Sequence, residues 1–205
     1  MEAYVIAAVI GYLLGCSNLA YFLAKMRGFD IRSKGSNNAG ASNATITMGL
    51  KVGVLVAVHD ILKATLPAIL LSLLFPHVPY IGLLAGGCAV LGHIFPFYLK
   101  NGGGKGFASF MGLILASDWK FFIAIVLVAF LITVVTDYIV FATMTTVVSF
   151  PIRLFFLLQG NWIPVLLAAA VSLVIIYKHI PNFGKLARGE EIGLRAALSK
   201  KKETA

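Results

Sequence analysis

Residues 3–24 pass without one charged side chain, and stretches of similar character recur at 52–75, 80–99, 107–117, 121–135, 138–158 and 162–177. A run of about 20 apolar residues is what an α-helix needs to cross the hydrocarbon core of a bilayer. A water-soluble fold is excluded on composition as well. With 60% hydrophobic and 12% charged residues, a 205-residue chain has too little charge to cover a soluble surface. The stretches lack the period-two alternation of barrel strands and end at Gly, Pro, Asn or charged residues. Helices follow, because only helices and closed barrels satisfy the backbone inside lipid. The expected fold is all-α: one polytopic membrane domain over 1–205, with seven transmembrane helices. The 107–117 and 121–135 helices are short and are separated by Asp118-Trp119-Lys120.

Positive charge sets the orientation. Lysine and arginine concentrate in the 25–51 segment, at Lys100 and Lys105, and in a basic tail at 185–205; Lys120 is the one clear exception elsewhere. Cationic loops stay on the cytoplasmic side, so the N-terminus is expected outside and the C-terminus inside. The formal charge of +9 then reflects orientation and contact with membrane lipid headgroups, and implies no nucleic-acid partner. Cys16 and Cys88 fall within apolar stretches, which argues against a disulfide framework. Leu13-Leu14-Gly15-Cys16 superficially resembles a lipoprotein cleavage box. Glu2 is the only charge before it, however, so the first stretch reads as a retained helix.

Three polar islands interrupt this chain, and on the expected topology all three face the cytoplasm. The first is Gly35-Ser36-Asn37-Asn38-Ala39-Gly40-Ala41-Ser42-Asn43. Its small residues leave backbone N–H groups free, allow left-handed turns at Gly35 and Gly40, and add hydroxyl and amide donors. Such a turn binds anions more strongly where a helix begins just after it. The second, Gly102-Gly103-Gly104-Lys105-Gly106, joins close backbone approach to a compact cation. It lacks the spacing of a nucleotide P-loop, since Leu99 stands at the first glycine position and Gly106 follows the lysine. The third places His179 and Asn182 three apart around Pro181. The four histidines are scattered and no G-x-S-x-G elbow occurs, so neither a metal, a cofactor nor a serine triad is expected.

Other polar or small residues inside the stretches have simpler expectations. Gly82 and Gly86 form a pair suited to close helix packing. Asp60 and Lys63 lie on one helical face and can pair, and as intramembrane charges they are also site candidates. Arg153 is expected to snorkel, and Trp119 and Trp162 to anchor at the interface.

Taken jointly, the islands resemble the bacterial acyl-phosphate:glycerol-3-phosphate acyltransferases, over nearly the whole chain. The matching residues are Gly35-Ser36-x-Asn38-x-Gly40-Ala41-x-Asn43, Gly49-x-Lys51-x-Gly53, Asp60-x-x-Lys63 and Gly92-His93-x-Phe95-Pro96. Gly103-Gly104-Lys105-Gly106, Ala108, His179-x-x-Asn182, Leu186, Gly189 and Glu191 complete the set. The chain departs from the pattern at Asn37, where glycine is usual, and at Ile46 and Lys185, where arginine is usual. Gly102 stands where a basic residue is usual. Lysine in place of arginine loses a bidentate phosphate contact.

The resemblance implies transfer of a fatty acyl group from acyl phosphate to the 1-hydroxyl of glycerol 3-phosphate. The products are lysophosphatidate and phosphate, at the cytoplasmic face of a bacterial inner membrane. On that reading His179, Lys105, Asn182 and Ser36 are catalytic, and Asn38, Gly40, Asn43, Lys51, His93, Gly103 and Gly104 bind substrate. His179 is the first candidate for general base and His93 the second, and a substrate phosphate oxygen is a third acceptor for the proton. The nearer alternative is a divergent acyltransferase with another donor or acceptor. From a different class, a small-solute transporter would run its path past Asp60 and Lys63.

Overall fold

The computed structural model describes residues 1–100 and 102–199; the end of the basic tail, 200–205, lies outside them. Among the described residues all regular structure is helical: α1 (Glu2–Gly15), α2 (Leu19–Met26), α3 (Ala41–Met48), α4 (Leu50–Leu74), α5 (Ile81–Ile94), α6 (Phe107–Ser117), α7 (Trp119–Thr136), α8 (Ile139–Leu157), α9 (Trp162–Ala187) and α10 (Leu194–Ser199). Among the described residues, six segments are long and apolar enough to cross a membrane: Glu2–Met26, Leu50–Leu74, Ile81–Leu99, Trp119–Thr136, Ile139–Leu157 and Trp162–Ala187. The seventh apolar helix, α6, has 11 residues. At 1.5 Å per residue it spans about 16 Å, roughly half a bilayer core.

Three features differ from the expectation. The first stretch is not one helix, because the chain breaks at Ser17-Asn18. Asn18 caps α2 by accepting from the Tyr21 N–H at 2.9 Å, and its amide also donates to Ala39 O at 3.1 Å. The second difference lies in α9, which continues past Tyr177 through His179, Pro181 and Asn182, so the third island is helical. Proline removes one hydrogen bond there without ending the helix. Third, Arg153 does not merely snorkel: its Nε donates to Asp118 Oδ2 at 2.8 Å, at the turn between α6 and α7.

Close backbone approach organises the bundle. A Cβ added at Gly11 or Gly15 of α1 would fall on the backbone of Ala85 or Ala89 in α5. Gly82 on the same helix sits against Ala68 and Ser72 of α4, and Gly86 against Leu113 of α6. Lipid tails are as apolar as leucine, so association rests on this van der Waals fit rather than on expelling water. Phe110 and Phe150 meet edge to face at 5.5 Å in the core shared by α6, α8 and α9. By contrast, Ile125 and Ala129 are the buried residues of α7, which leaves most of that helix facing lipid. The outcome is a pole where the loop before α3, the loop before α6 and the end of α9 meet. The N-terminal end of α1 is distant from it, with Tyr4 Oη donating to Pro79 O in the α4–α5 loop.

Candidate active site

The first island is held by Asn43, which is fully buried in the opening turn of α3. Its Oδ1 accepts from the Ser36 N–H at 2.8 Å, and its Nδ2 donates to Ile31 O, Lys34 O and Asn38 O at 2.8, 3.0 and 2.8 Å. A side chain so committed shapes the loop. What the loop presents instead is Ser36 and Asn38, joined by Asn38 Nδ2 donating to Ser36 Oγ at 2.8 Å. Left-handed backbone occurs at Gly35 and Asn37, with φ of 60° at each, and not at Gly40, which is extended at φ −119°. Gly40 matters for a different reason. A Cβ there would press on Asn38 Oδ1 and approach the Cα of Gly104.

The second island packs directly against the first: the Ala39 N–H donates to Gly103 O at 3.4 Å, and the Gly104 N–H to His93 O at 3.2 Å. Gly104 has to be glycine because a Cβ would fall on the His93 ring. Gly106, at φ +95°, then turns the chain into α6. Lys105, carried on this loop, reaches α9, where Nζ donates to Asn182 Oδ1 at 2.6 Å. The Asn182 amide in turn donates to Glu191 Oε1 at 2.6 Å. Burial lowers the Lys105 ammonium to about 8; Glu191 opposes that shift, and Lys185 and Lys178 reinforce it.

One turn before Asn182, His179 Nδ1 lies 2.8 Å from Ile175 O. A carbonyl only accepts, so the ring proton belongs on Nδ1 and the lone pair on Nε2.

These groups border one cavity of about 260 Å³. Ser36, Asn38, Lys105, His179, Asn182 and Glu191 line it with polar groups, and Ile46, Ile61, Phe107, Met111, Ile139 and Val140 line it with apolar ones. Two helix N-termini open on it, at Gly40 before α3 and Gly106 before α6, and neither has a side-chain cap. Their first-turn N–H groups have no acceptor within the helix, which makes each end a site for negative charge.

Of the residues expected to form the site, Ser36, Asn38, Gly40, His93, Lys105, His179 and Asn182 do border the cavity. Asn43, Gly103 and Gly104 stand behind it as supports. Lys51 is exposed on the first turn of α4 and does not border it. Glu191 had counted only toward the resemblance. Its contact with Asn182 crosses nine residues and depends on the turn after α9, which no sequence pattern displays.

A second polar cluster backs the cavity. Asp60 and His93 also border it, and both are buried. Asp60 Oδ1 lies 2.8 Å from Lys63 Nζ, 3.3 Å from His93 Nδ1 and 3.6 Å from His59 Nδ1. Lys63 Nζ also donates to Ser17 O at 2.7 Å, at the break between α1 and α2.

The description "Glycerol-3-phosphate acyltransferase" belongs to the family model that matches residues 5–189. Glycerol-3-phosphate acyltransferase 1 of Oceanobacillus iheyensis is 35% identical, over 97% of this chain and 98% of its own. The Bacillus subtilis glycerol-3-phosphate acyltransferase is 35% identical, over 89% and 93%. Among solved structures, PlsY (YgiH), an integral membrane glycerol 3-phosphate acyltransferase, superposes in its glycerol 3-phosphate form with a TM-score of 0.85 at 31% identity. That match covers 93% of this chain and 95% of the other. The lysophosphatidic acid form gives 0.81 at 31% identity, over 93% and 94%.

Proposed function

This chain belongs to the glycerol-3-phosphate acyltransferase family of integral membrane enzymes, and from that premise we propose that it acylates the 1-hydroxyl of glycerol 3-phosphate, taking the acyl group from acyl phosphate. The observation that carries the reading is the convergence of Ser36, Asn38, Lys105, His179 and Asn182 on one cavity, beside two uncapped helix N-termini. Such a site suits phosphorylated ligands, because it offers a cation, neutral donors and oriented N–H groups together. The superposing PlsY structures, in glycerol 3-phosphate and lysophosphatidic acid forms, support an acceptor and a product of this kind.

In the proposed reaction, Lys105, Ser36 and Asn38 hold the acceptor's phosphate. The 1-oxygen attacks the acyl carbon, and the acyl–phosphate C–O bond breaks, its electron pair leaving on phosphate. His179 Nε2, with its lone pair fixed by the bond from Nδ1 to Ile175 O, receives the hydroxyl proton. First-turn N–H groups offset the charge developing on the acyl oxygen, an effect worth about 3 kcal/mol per donor. The donor's alkyl chain partitions into the bilayer at about 0.8 kcal/mol per methylene and follows the apolar wall. We place the site at the cytoplasmic face of a bacterial inner membrane, N-terminus outside and C-terminus inside, on the distribution of lysine and arginine.

Asp60 and Lys63, which a transport path would need, pair with each other at the wall of this same cavity and so favour an enzyme. A second reading, another donor or acceptor, is favoured by one observation: Ile46 makes the cavity apolar beside Ser42. The test is purified protein offered glycerol 3-phosphate with either acyl phosphate or acyl-CoA. Lysophosphatidate from acyl phosphate alone is the expected result. Product from acyl-CoA alone selects another donor, and none from either removes glycerol 3-phosphate as the acceptor.

A further inference from the structure

We propose that Asp137, in the turn between α7 and α8, is a positioning residue: it latches the segment after α9 along one side of the cavity, and so keeps Glu191 on Asn182 and Asn182 on Lys105. The inference rests on the reading above. Beyond Ala187 the chain turns at Gly189, with φ of 71°, and the Glu190 N–H donates to Lys185 O at 2.8 Å. Glu191 and Ile192 then border the cavity. The next residues meet Asp137. The Leu194 N–H donates to Asp137 O at 2.7 Å, and the Arg195 N–H to Asp137 Oδ1 at 2.8 Å. Gly193 lies so close that a Cβ there would fall on the Asp137 carboxylate. The segment thus forms a strap from the end of α9 to the start of α8, where Ile139 and Val140 border the same cavity.

Little besides these bonds holds the strap. α10 has six residues, none of them buried, and so short a helix does not support itself. A chain end of this kind stays ordered where something ties it down. Asp137 does so by accepting the first two N–H groups of α10, which have no acceptor within their own helix. Its own backbone is left-handed, at φ 71°, a conformation that Asp and Asn enter more readily than most residues. The Arg195 guanidinium, 4.0 Å from Oδ1 and largely exposed, adds little as an ion pair. What the strap delivers is Glu191, whose Oε1 accepts from the Asn182 amide at 2.6 Å. Its charge opposes the lowering of the Lys105 ammonium, while Lys185 and Lys178 reinforce that lowering. His179 is the further titratable group facing Lys105. With the strap released, Lys105 loses the one acid that supports its charge and the amide that orients it is free to turn.

The experiment releases the strap from both ends and reads two quantities: hydrogen exchange of residues 190–196, and the alkaline limb of kcat/KM for glycerol 3-phosphate. Asp137→Gly removes the carboxylate and keeps the left-handed backbone. Gly193→Ala pushes the strap off Asp137 without altering a residue that borders the cavity. Both are expected to speed exchange at Leu194 and Arg195. Both are also expected to move the limb to more acid pH by about one unit, the lower end of what a nearby opposite charge does, which at pH 8 is a loss of about fivefold. Asp137→Asn keeps an oxygen that accepts from Arg195 and should stay within about twofold of the wild type, with its limb in place. Faster exchange with an unmoved limb overturns the proposal, because the strap then does not position Lys105. A moved limb with unchanged exchange overturns it as well, since the effect would not pass through the strap. A wild type that acylates no glycerol 3-phosphate overturns the proposed function and the positioning role with it, while the exchange pattern separately decides whether Asp137 holds the strap.

Discussion

Lys105 and Asn182, 77 residues apart in the chain, meet with Nζ 2.6 Å from Oδ1. The contact joins the glycine loop to the last turns of α9, and it fixes the Asn182 amide with its nitrogen toward Glu191. Lys105, Asn182 and Glu191 are therefore one connected set of hydrogen bonds running from the α5–α6 loop to the turn after α9.

Removing the cation from that set tests it most directly. Lys105→Ala is expected to insert and purify normally yet lose acyl transfer by about 100-fold or more, the scale of losing one preorganised charge-stabilising group. Steady-state lysophosphatidate formation in detergent checks this. Near-normal turnover would take Lys105 out of the mechanism.

Lys105 also predicts a pH dependence. Burial lowers its ammonium to about 8, so the cation that binds phosphate is present below that pH and is lost above it. In the free enzyme kcat/KM for glycerol 3-phosphate should fall by about tenfold per unit on the alkaline side of pH 8. Lys105→Arg stays charged throughout and should move that limb beyond the measurable range. An alkaline limb at the same pH in Lys105→Arg would assign it to another group.

Asn43→Ala should act on stability before chemistry. It removes a buried side chain bonded to Ile31, Lys34, Ser36 and Asn38, at a cost of about 2–3 kcal/mol. Thermal unfolding in detergent should shift downward, and the KM for glycerol 3-phosphate should rise as the loop loosens. Asn43→Asp should not rescue it, since a carboxylate cannot donate to three carbonyls. A raised KM with an unchanged melting temperature would instead mark Asn43 as a direct ligand.

Ile46→Arg adds a guanidinium to an apolar part of the cavity wall. The KM for glycerol 3-phosphate is expected to fall several-fold and to become more sensitive to salt. An unchanged KM would show that this part of the wall does not face phosphate.

Much of the fold was legible because intramembrane helices declare themselves by length and apolarity alone. Every apolar stretch carries an α-helix in the structure, and the short pair around Asp118 divides at that residue. Boundaries were less visible. Ser17-Asn18 breaks the first helix although its neighbours are apolar, because Asn18 finds partners at Tyr21 and Ala39 that compensate for the break. The last apolar stretch ends at Tyr177, yet α9 carries Pro181 and Asn182 on to Ala187.

The order of residues was enough to determine a membrane-embedded helical protein with anion-suited chemistry in three polar islands, since hydropathy and charge act locally and can be read along the chain. Which polar groups face a ligand and which hold the scaffold was settled only in three dimensions. Asn38 and Asn43 are the same side chain five residues apart; one borders the cavity, and the other is fully buried with both ends of its amide bonded. Hydrogen-bond partners brought together by folding decide that difference: those of Asn43 lie 5 to 12 residues away, while Lys105 and Asn182 meet across 77.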